Sequence, residues 1–326
     1  MKQTRLGKTD MYVNPVGLGC MGFSHASGTP MPKDEAIAVL REAYQIGYNF
    51  YDTAQCYTGV NPDGSINYNE ELVGEAIKTF RNQIILCTKF GVTHKGDHLE
   101  FDSSPEKIRQ SVEESLQKLD TDYIDLYYQH RIDPKVEPEV VAGVMKELIE
   151  EGKIKAWGIS ETTEEYLRRA HAVCPVTAIE NRYSMMARWH EPIFKVCEEL
   201  GITYVAFSPM ANGALTGAYQ SKADFGKGDQ DFRPDMPQYS EEGMKKTRKL
   251  LDIIEKYAKE KNATNAQISL AWMMCKKDYI IPIPGSRKVS RLKENFDAGQ
   301  VILTKEEVKA LDDQLDTMDF LVFGGH

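Results

Sequence analysis

A single (β/α)8 TIM barrel of the α/β class, spanning residues 1–326 with an N-terminal β-hairpin in front and extra C-terminal helices behind, is the fold this sequence predicts. Three observations predict it. Eight apolar runs of strand length follow the hairpin, each leading into a stretch with helical spacing, and strict βα alternation means a parallel sheet. The length of 326 residues suits a barrel, whose typical size is ~250 residues before insertions. Finally, the one formal G-x-G-x-x-G, Gly17 to Gly22, is followed by Ser24, Ser27, Gly28 and two prolines rather than a helix. A doubly wound dinucleotide fold would need that helix.

Residues 3 to 15 read as a hairpin with Gly7-Lys8-Thr9-Asp10 at its turn and Pro15 closing it. Val16 to Gly22 is the first barrel strand, its glycines giving clearance. Ala36, Ile37, Leu40, Ala43 and Tyr44 mark a covering helix over 33–46. Tyr48 to Asp52 is the second strand, and the loop leaving it carries Tyr57. Leu72, Val73, Ala76 and Ile77 share one face of a helix over 69–80. The third strand, Ile84 to Lys89, ends in a lysine, and a loop from Gly91 to Ser103 holds His94 and His98. Ser104-Pro105 starts a helix running to Leu119. The fourth strand, Tyr123 to His130, ends in a histidine. A helix over 138–151 is closed by Gly152, and Ile154 to Ser160 is the fifth strand. Thr162-x-x-Glu165 reads as the capping box of the next helix. Val176 to Asn181 is the sixth strand, 190–200 a helix, and Ile202 to Phe207 the seventh strand. Met210 to Tyr239 lacks periodicity and reads as a long inserted loop. Helices follow over 241–260 and, behind Thr264-x-x-Gln267, over 264–276. The eighth strand is Tyr279 to Pro284. A helix begins at 288, and Thr304-x-x-Glu307 caps a final one.

Forty basic against 49 acidic side chains give a net charge of −9, and no basic block is present. Nucleic acid and anionic membranes are therefore not expected as partners. No apolar run approaches the ~20 residues that span a bilayer, and the N-terminus lacks a signal-peptide apolar region, so a cytoplasmic location is expected. Six cysteines are scattered without a Cys-x-x-Cys pair, which fits reduced thiols. Cys56, beside Tyr57, is a candidate for oxidation.

The C-terminal ends of barrel strands form the face that carries chemistry. Here they carry Asp52, Tyr57, Lys89 and His130, from strands two, three and four. A phenol has a reference pKa near ~10, so it needs a nearby cation to move protons at neutral pH, and Lys89 is expected to lower it. Asp52 can hold Lys89, and His130 can donate to a substrate oxygen. A tuned phenol beside a neutral imidazole suits protonation of an oxygen gaining charge, as in carbonyl reduction. These residues supply no hydride, so a cofactor must.

The chain resembles the aldo-keto reductases over essentially its whole length. The resemblance rests on Gly47-Tyr48-Asn49-Phe50-Tyr51-Asp52-Thr53-Ala54-x-x-Tyr57, Lys89 and Leu126-Tyr127-Tyr128-Gln129-His130. It continues through Gly158-Ile159-Ser160, Phe207-Ser208-Pro209-Met210 and Ile281 to Arg287, with Glu294-Asn295 beyond. The resemblance implies NADPH-dependent reduction of an aldehyde or ketone, without metal, on a small-molecule carbonyl substrate. Tyr57 would be the acid and base, tuned by Lys89 and Asp52, with His130 positioning the carbonyl. Ser160 and Asn181 would bind the nicotinamide carboxamide, and Phe207 would stack on the ring. Ser208, Pro209, Met210, Asn212, Gly213 and Leu215 would follow the pyrophosphate. Ser286, Arg287, Arg291, Glu294 and Asn295 would hold the adenosine end, with arginines suited to a 2′-phosphate. Cys20, Met21, Asp52 and Gly285 complete the implied NADP(H) contacts. Glu161 stands where many members carry Asn, Phe207 where Tyr is frequent, and Gly285 where many place a Lys.

Two other functions fit the sequence less well. An NADP(H)-binding redox sensor or regulatory subunit, as in the related potassium-channel β subunits, would keep the barrel but turn over weakly. A metal-dependent barrel hydrolase would need clustered ligands on several strand ends, and only His130 is so placed. The substrate-facing loops, 22–32, 59–68, 91–103 and 210–239, do not specify a pocket shape.

Overall fold

The computed structural model describes residues 2–324 apart from 97, 220, 222–223 and 226–230. Strands β1 (Thr4–Arg5) and β2 (Tyr12–Val13) pair antiparallel as the expected hairpin. β3 (Leu18–Gly19) passes through a 3-10 turn, Met21–Phe23, to α1 (Lys33–Ile46). β4 (Phe50–Asp52) precedes a small hairpin, β5 (Thr58–Val60) with β6 (Ile66–Tyr68), and then α2 (Asn69–Ile77). β7 (Ile85–Phe90) precedes another, β8 (Val92–Lys95) with β9 (His98–Phe101), and then α3 (Pro105–Leu119). Three plain units follow: β10 (Ile124–Gln129) with α4 (Pro138–Glu150), β11 (Ile154–Ser160) with α5 (Glu164–Val173), and β12 (Ala178–Arg182) with α6 (Phe194–Leu200). β13 (Thr203–Phe207) runs into 3-10 turns before α7 (Glu241–Lys261) and α8 (Asn265–Lys276). β14 (Ile280–Pro282), α9 (Val289–Asp297) and α10 (Lys305–Leu315) complete the chain.

The eight barrel strands lie in the order β3-β4-β7-β10-β11-β12-β13-β14, every neighbour parallel. Two backbone hydrogen bonds join the ends of this sheet, from Gly17 N to Pro282 O (2.9 Å) and from Gly19 N to Pro284 O (3.4 Å). The prolines offer only carbonyls to this seam, while Ile283 N donates to Ala206 O on β13. A Cβ on Gly17 would lie 2.6 Å from the Phe50 ring, and one on Gly19 2.6 Å from the Ile283 carbonyl oxygen. The glycines that mimic a phosphate loop are thus the ones that let the first and last strands meet.

Strand periodicity divides the core in two. Leu18, Tyr51, Leu86, Tyr127, Trp157, Ile179 and Tyr204 face outward into the layer shared with the helices. Phe50, Cys87, Leu126, Tyr128, Ala156, Ala178, Val205 and Ile281 face inward, closed from below by Leu6 and Val13 of the hairpin. Local rules hold at several helix starts. Ser104 caps α3, and full capping boxes open α8 (Thr264, Gln267) and α10 (Thr304, Glu307). At α5 the expected box is displaced by one residue: Thr163 accepts from Tyr166 N, because Thr162 N is already committed to Asn181 Oδ1. The loops expected at 59–68 and 91–103 contain paired strands. Their largely exposed residues, apolar Val60, Ile66 and Leu99 among them, carry no regular inside–outside alternation to announce them.

Candidate active site

The inward parity that builds the lower core continues up the strands, and four of them deliver an ionisable side chain there. Asp52 ends β4, Lys89 is next to last in β7, His130 follows β10, and Glu180 lies in β12 between inward-facing Ala178 and Arg182. Lys89 is fully buried. Its Nζ donates to Asp52 Oδ1 (2.5 Å) and Thr53 O (2.9 Å), and Glu180 Oε1 lies 3.4 Å away. One ammonium is therefore shared by two buried carboxylates, and Asp52 Oδ2 and Glu180 Oε2 have no hydrogen-bond partner. Sequence reasoning found Asp52 and Lys89 but passed over Glu180. The inward parity of β12 was the signal that could have found it.

Tyr57 sits above this cluster, its ring centroid 5.3 Å from Lys89 Nζ. His130 meets that ring edge-on, centroids 5.6 Å apart, and His25 stacks on it at 6.0 Å. His25 Nδ1 donates to Thr58 O (2.7 Å), which fixes that ring, and His94 lies 5.1 Å beyond it. Cys56 Sγ is 3.4 Å from His130 Nδ1. A buried amide network fixes the loops beneath. Thr53 Oγ1 donates to Asn69 Oδ1 (2.6 Å), and Asn69 Nδ2 donates to Cys20 O (2.9 Å) and Ser24 Oγ (2.8 Å).

Burial disfavours the Lys89 ammonium, but Asp52 and Glu180 overcome it and hold its pKa well above the usual lysine value. Burial pushes the Asp52 carboxyl up against the pull of Lys89, and burial beside Asp52 pushes Glu180 up to about 8. His130 falls well below the ordinary histidine range through burial and the nearby Arg131 and Lys89, so its imidazole is neutral. The expectation for Tyr57 needs correcting. Lys89 does pull the phenol down, but burial outweighs it, with Asp52 and Glu180 adding to the rise, so the phenol is less acidic than free tyrosine. Burial likewise raises the Cys56 thiol to about 12, which removes the thiolate that oxidation would need.

Most of the residues expected around a cofactor follow the C-terminal ends of the strands. β11 and β13 are each followed by a left-handed, non-glycine residue, Glu161 (φ +53°) and Ser208 (φ +50°). Ala211 (φ +48°) and Asn212 (φ +59°) continue this strained backbone into Gly213 (φ +105°). Pro209 and Met210 precede it, and Met210 O accepts from Gly213 N and Leu215 N (3.0 and 3.2 Å). Ser160 Oγ accepts from Arg131 Nη1 (3.1 Å), and the Phe207 ring lies 4.9 Å from the Arg182 guanidinium and 5.9 Å from that of Arg131. Arg131 and Arg182 had escaped the sequence reading. Asn181 faces away from the barrel interior, its amide engaged with Thr162 and His190 Nδ1. Near β14, a Cβ on Gly285 would lie 2.5 Å from Gly19 O, so packing dictates that glycine. Ser286 Oγ accepts from Lys288 N, Asn295 is buried, and Arg291 pairs with Glu294 at 2.5 Å. On the β3 side, Cys20 N donates to Asp52 O (2.8 Å) and Met21 O accepts from His25 N (2.9 Å).

One observation fits a phosphate-bearing ligand at this end. Arg287 donates to Gly22 O (2.5 Å) and Thr29 O (2.9 Å), but its buried Nη2 has no partner. Burial and nearby Arg233 lower its pKa, while Asp231, paired with Arg233 at 2.6 Å, raises it. Among the described residues, no group of three or more His, Cys, Asp or Glu is placed to hold a metal ion, and no helix is long and apolar enough to cross a membrane.

Comparison with known proteins gives a family for the chain. The model of the Aldo/keto reductase family matches residues 15–316. The yakc aldo-keto reductase [NADP(+)] of Schizosaccharomyces pombe is 37% identical over 317 residues, covering 95% of this chain and 90% of its own. A probable aldo-keto reductase 1 of Glycine max is 36% identical over 320 residues, 95% of this chain and 88% of its own. Among solved structures, a glycerol dehydrogenase from Gluconobacter oxydans superposes with a TM-score of 0.84 at 26% identity, covering 97% of this chain and 95% of its own.

Proposed function

The chain belongs to the aldo/keto reductase family, and on that premise we propose that it reduces an aldehyde or ketone to the alcohol with NADPH, Tyr57 supplying the proton. The observation that carries this reading is the buried Lys89–Asp52 pair beneath Tyr57, with His130 edge-on beside the phenol. When bound, the nicotinamide cofactor supplies the hydride. Ser160, Phe207 and the left-handed stretch 208–213 would hold its nicotinamide and pyrophosphate portions, and Ser286 and Arg287 its adenosine end. The free Nη2 of Arg287 favours a 2′-phosphate and thus NADPH, in keeping with the relative whose name carries NADP(+).

The chain's own residues divide the remaining work. The Cys56 thiol stays protonated and can donate to His130 Nδ1, which leaves the imidazole proton on Nε2, free to donate to a carbonyl oxygen. A neutral His130 orients that oxygen without protonating it. As the oxygen gains charge it becomes the stronger base, and the Tyr57 hydroxyl gives up its proton. The phenolate left behind faces Lys89, whose ammonium stabilises it. Burial keeps water out, so this interaction works at low dielectric.

The test is NADPH oxidation against a panel of aldehydes, with Tyr57→Phe alongside and NADPH binding followed by fluorescence in both proteins. Turnover should fall at least ~100-fold in the variant, the usual scale for a lost general acid, with NADPH affinity retained. Tight NADPH binding without turnover by the native protein would instead identify a cofactor-binding sensor.

A further inference from the structure

Glu180 is a buried carboxyl that the mechanism above does not use. It is 3% exposed and sits on the inner face of β12, its Oε1 3.4 Å from Lys89 Nζ and its Oε2 without a hydrogen-bond partner. The groups facing it are Asp52 from β4, Cys87 and Lys89 from β7, Tyr128 from β10, and Tyr57 from the loop after β4. The flanking strands β11 and β13 place Ser160 and Val205 beside it, neither of them charged. One ammonium therefore balances two carboxyls. With both ionised, the cluster beneath Tyr57 would carry a net negative charge in a fully buried setting. With one protonated, it is neutral.

We propose that Glu180 holds a proton in the working enzyme and acts as a positioning group for the Lys89–Tyr57 pair, its ionisation setting the alkaline limit of carbonyl reduction. This rests on the reductase reading of the site. Asp52 takes the shorter, hydrogen-bonded contact to Lys89 (2.5 Å), so it is the better placed of the two to remain a carboxylate, and Glu180 the better placed to keep the proton. The upward push on the Glu180 carboxyl, to about 8, has the same direction. Once Glu180 ionises, the added negative charge opposes a phenolate at Tyr57 and an oxyanion on the substrate alike. Proton transfer should then slow, although the phenol, ammonium and imidazole keep their positions.

Two measurements test this. The first is the pH dependence of kcat/KM for the native protein and Glu180→Gln, which keeps the shape and removes the titration. The native rate should fall ~10-fold between about pH 7 and pH 9.5, a loss of the size one unit of pKa shift produces, and the limb should move to higher pH in the variant. Parallel profiles would overturn the proposal. The second is infrared difference spectroscopy on the cofactor-free protein. A protonated-carboxyl C=O band should be present at neutral pH, bleach as pH rises towards 9, and be missing in the variant. Its absence from the native protein, or its persistence in the variant, would place the proton elsewhere and refute the assignment. If the native protein reduces no aldehyde, the reductase reading fails, while the infrared titration still decides whether Glu180 carries the proton.

Discussion

The barrel interior holds two layers made by the same strands. In the lower layer β4, β7, β10, β12 and β13 contribute Phe50, Cys87, Leu126, Ala178 and Val205. Two residues further along, three of these strands contribute Asp52, Lys89 and Glu180. The step between layers is one period of the pleat, about 6.6 Å, so both share the same parity and nearly the same burial. The lesson is that burial alone does not say whether an inward position is core or chemistry. In the lower layer burial stabilises, because every side chain there leaves water at no electrostatic cost. In the upper layer burial is unfavourable for each charge taken singly, and the layer holds only because Lys89 answers Asp52 and Glu180 together. Strong coupling in a site that must stay dry is what tuned acid–base chemistry requires.

The sharpest way to break this contrast is to remove the one cation of the upper layer. Lys89→Met leaves two carboxyls buried without an ammonium. It should cost about 3–5 kcal/mol in urea unfolding at neutral pH, and it should abolish measurable aldehyde reduction. A truncation in the lower layer should divide those two effects. Leu126→Ala, at a fully buried position, is expected to cost about 2–5 kcal/mol while leaving NADPH affinity nearly unchanged in a fluorescence titration. Loss of NADPH binding in step with stability would mean that the two layers are not separable.

The smallest effect sharpens the comparison through pH. The folded-state pKa of Glu180 is raised, from 4.5 to about 8. The folded protein thus keeps a proton that the unfolded chain releases, so stability falls as pH rises through that window and levels off above it. Asp52, also raised, works in the same direction. Glu180→Gln should therefore melt close to the native protein near pH 5 and above it near pH 8.5, by several degrees. A constant difference in Tm would show that Glu180 does not change protonation on folding.

Much of this was legible in the sequence. The eight strands, the opening hairpin and the caps at Ser104, Thr264 and Thr304 follow from patterns only a few residues long, and such patterns survive folding because they concern backbone groups close in sequence. Asp52, Tyr57, Lys89 and His130 were legible too, since a polar residue closing an apolar run marks the catalytic edge of a parallel barrel. The displaced cap at Thr163 was not, because the competitor for Thr162 is Asn181, on another strand. Nor was the ion pair of Arg291, whose guanidinium turns to Glu294 on its own helix.

What the sequence by itself determined is therefore the barrel, its order of elements and the set of reactive groups at its mouth, all consequences of periodicity and local chain chemistry. What only the tertiary structure decided is how those groups share charge. Glu180 and Asn181 are adjacent in sequence, yet the pleat sends one to Lys89 and the other to Thr162. Tyr57 has its cation, as expected, and still becomes a weaker acid, because desolvation depends on everything packed around the phenol. Such balances sum over residues brought together from separate strands, and no stretch of sequence contains them.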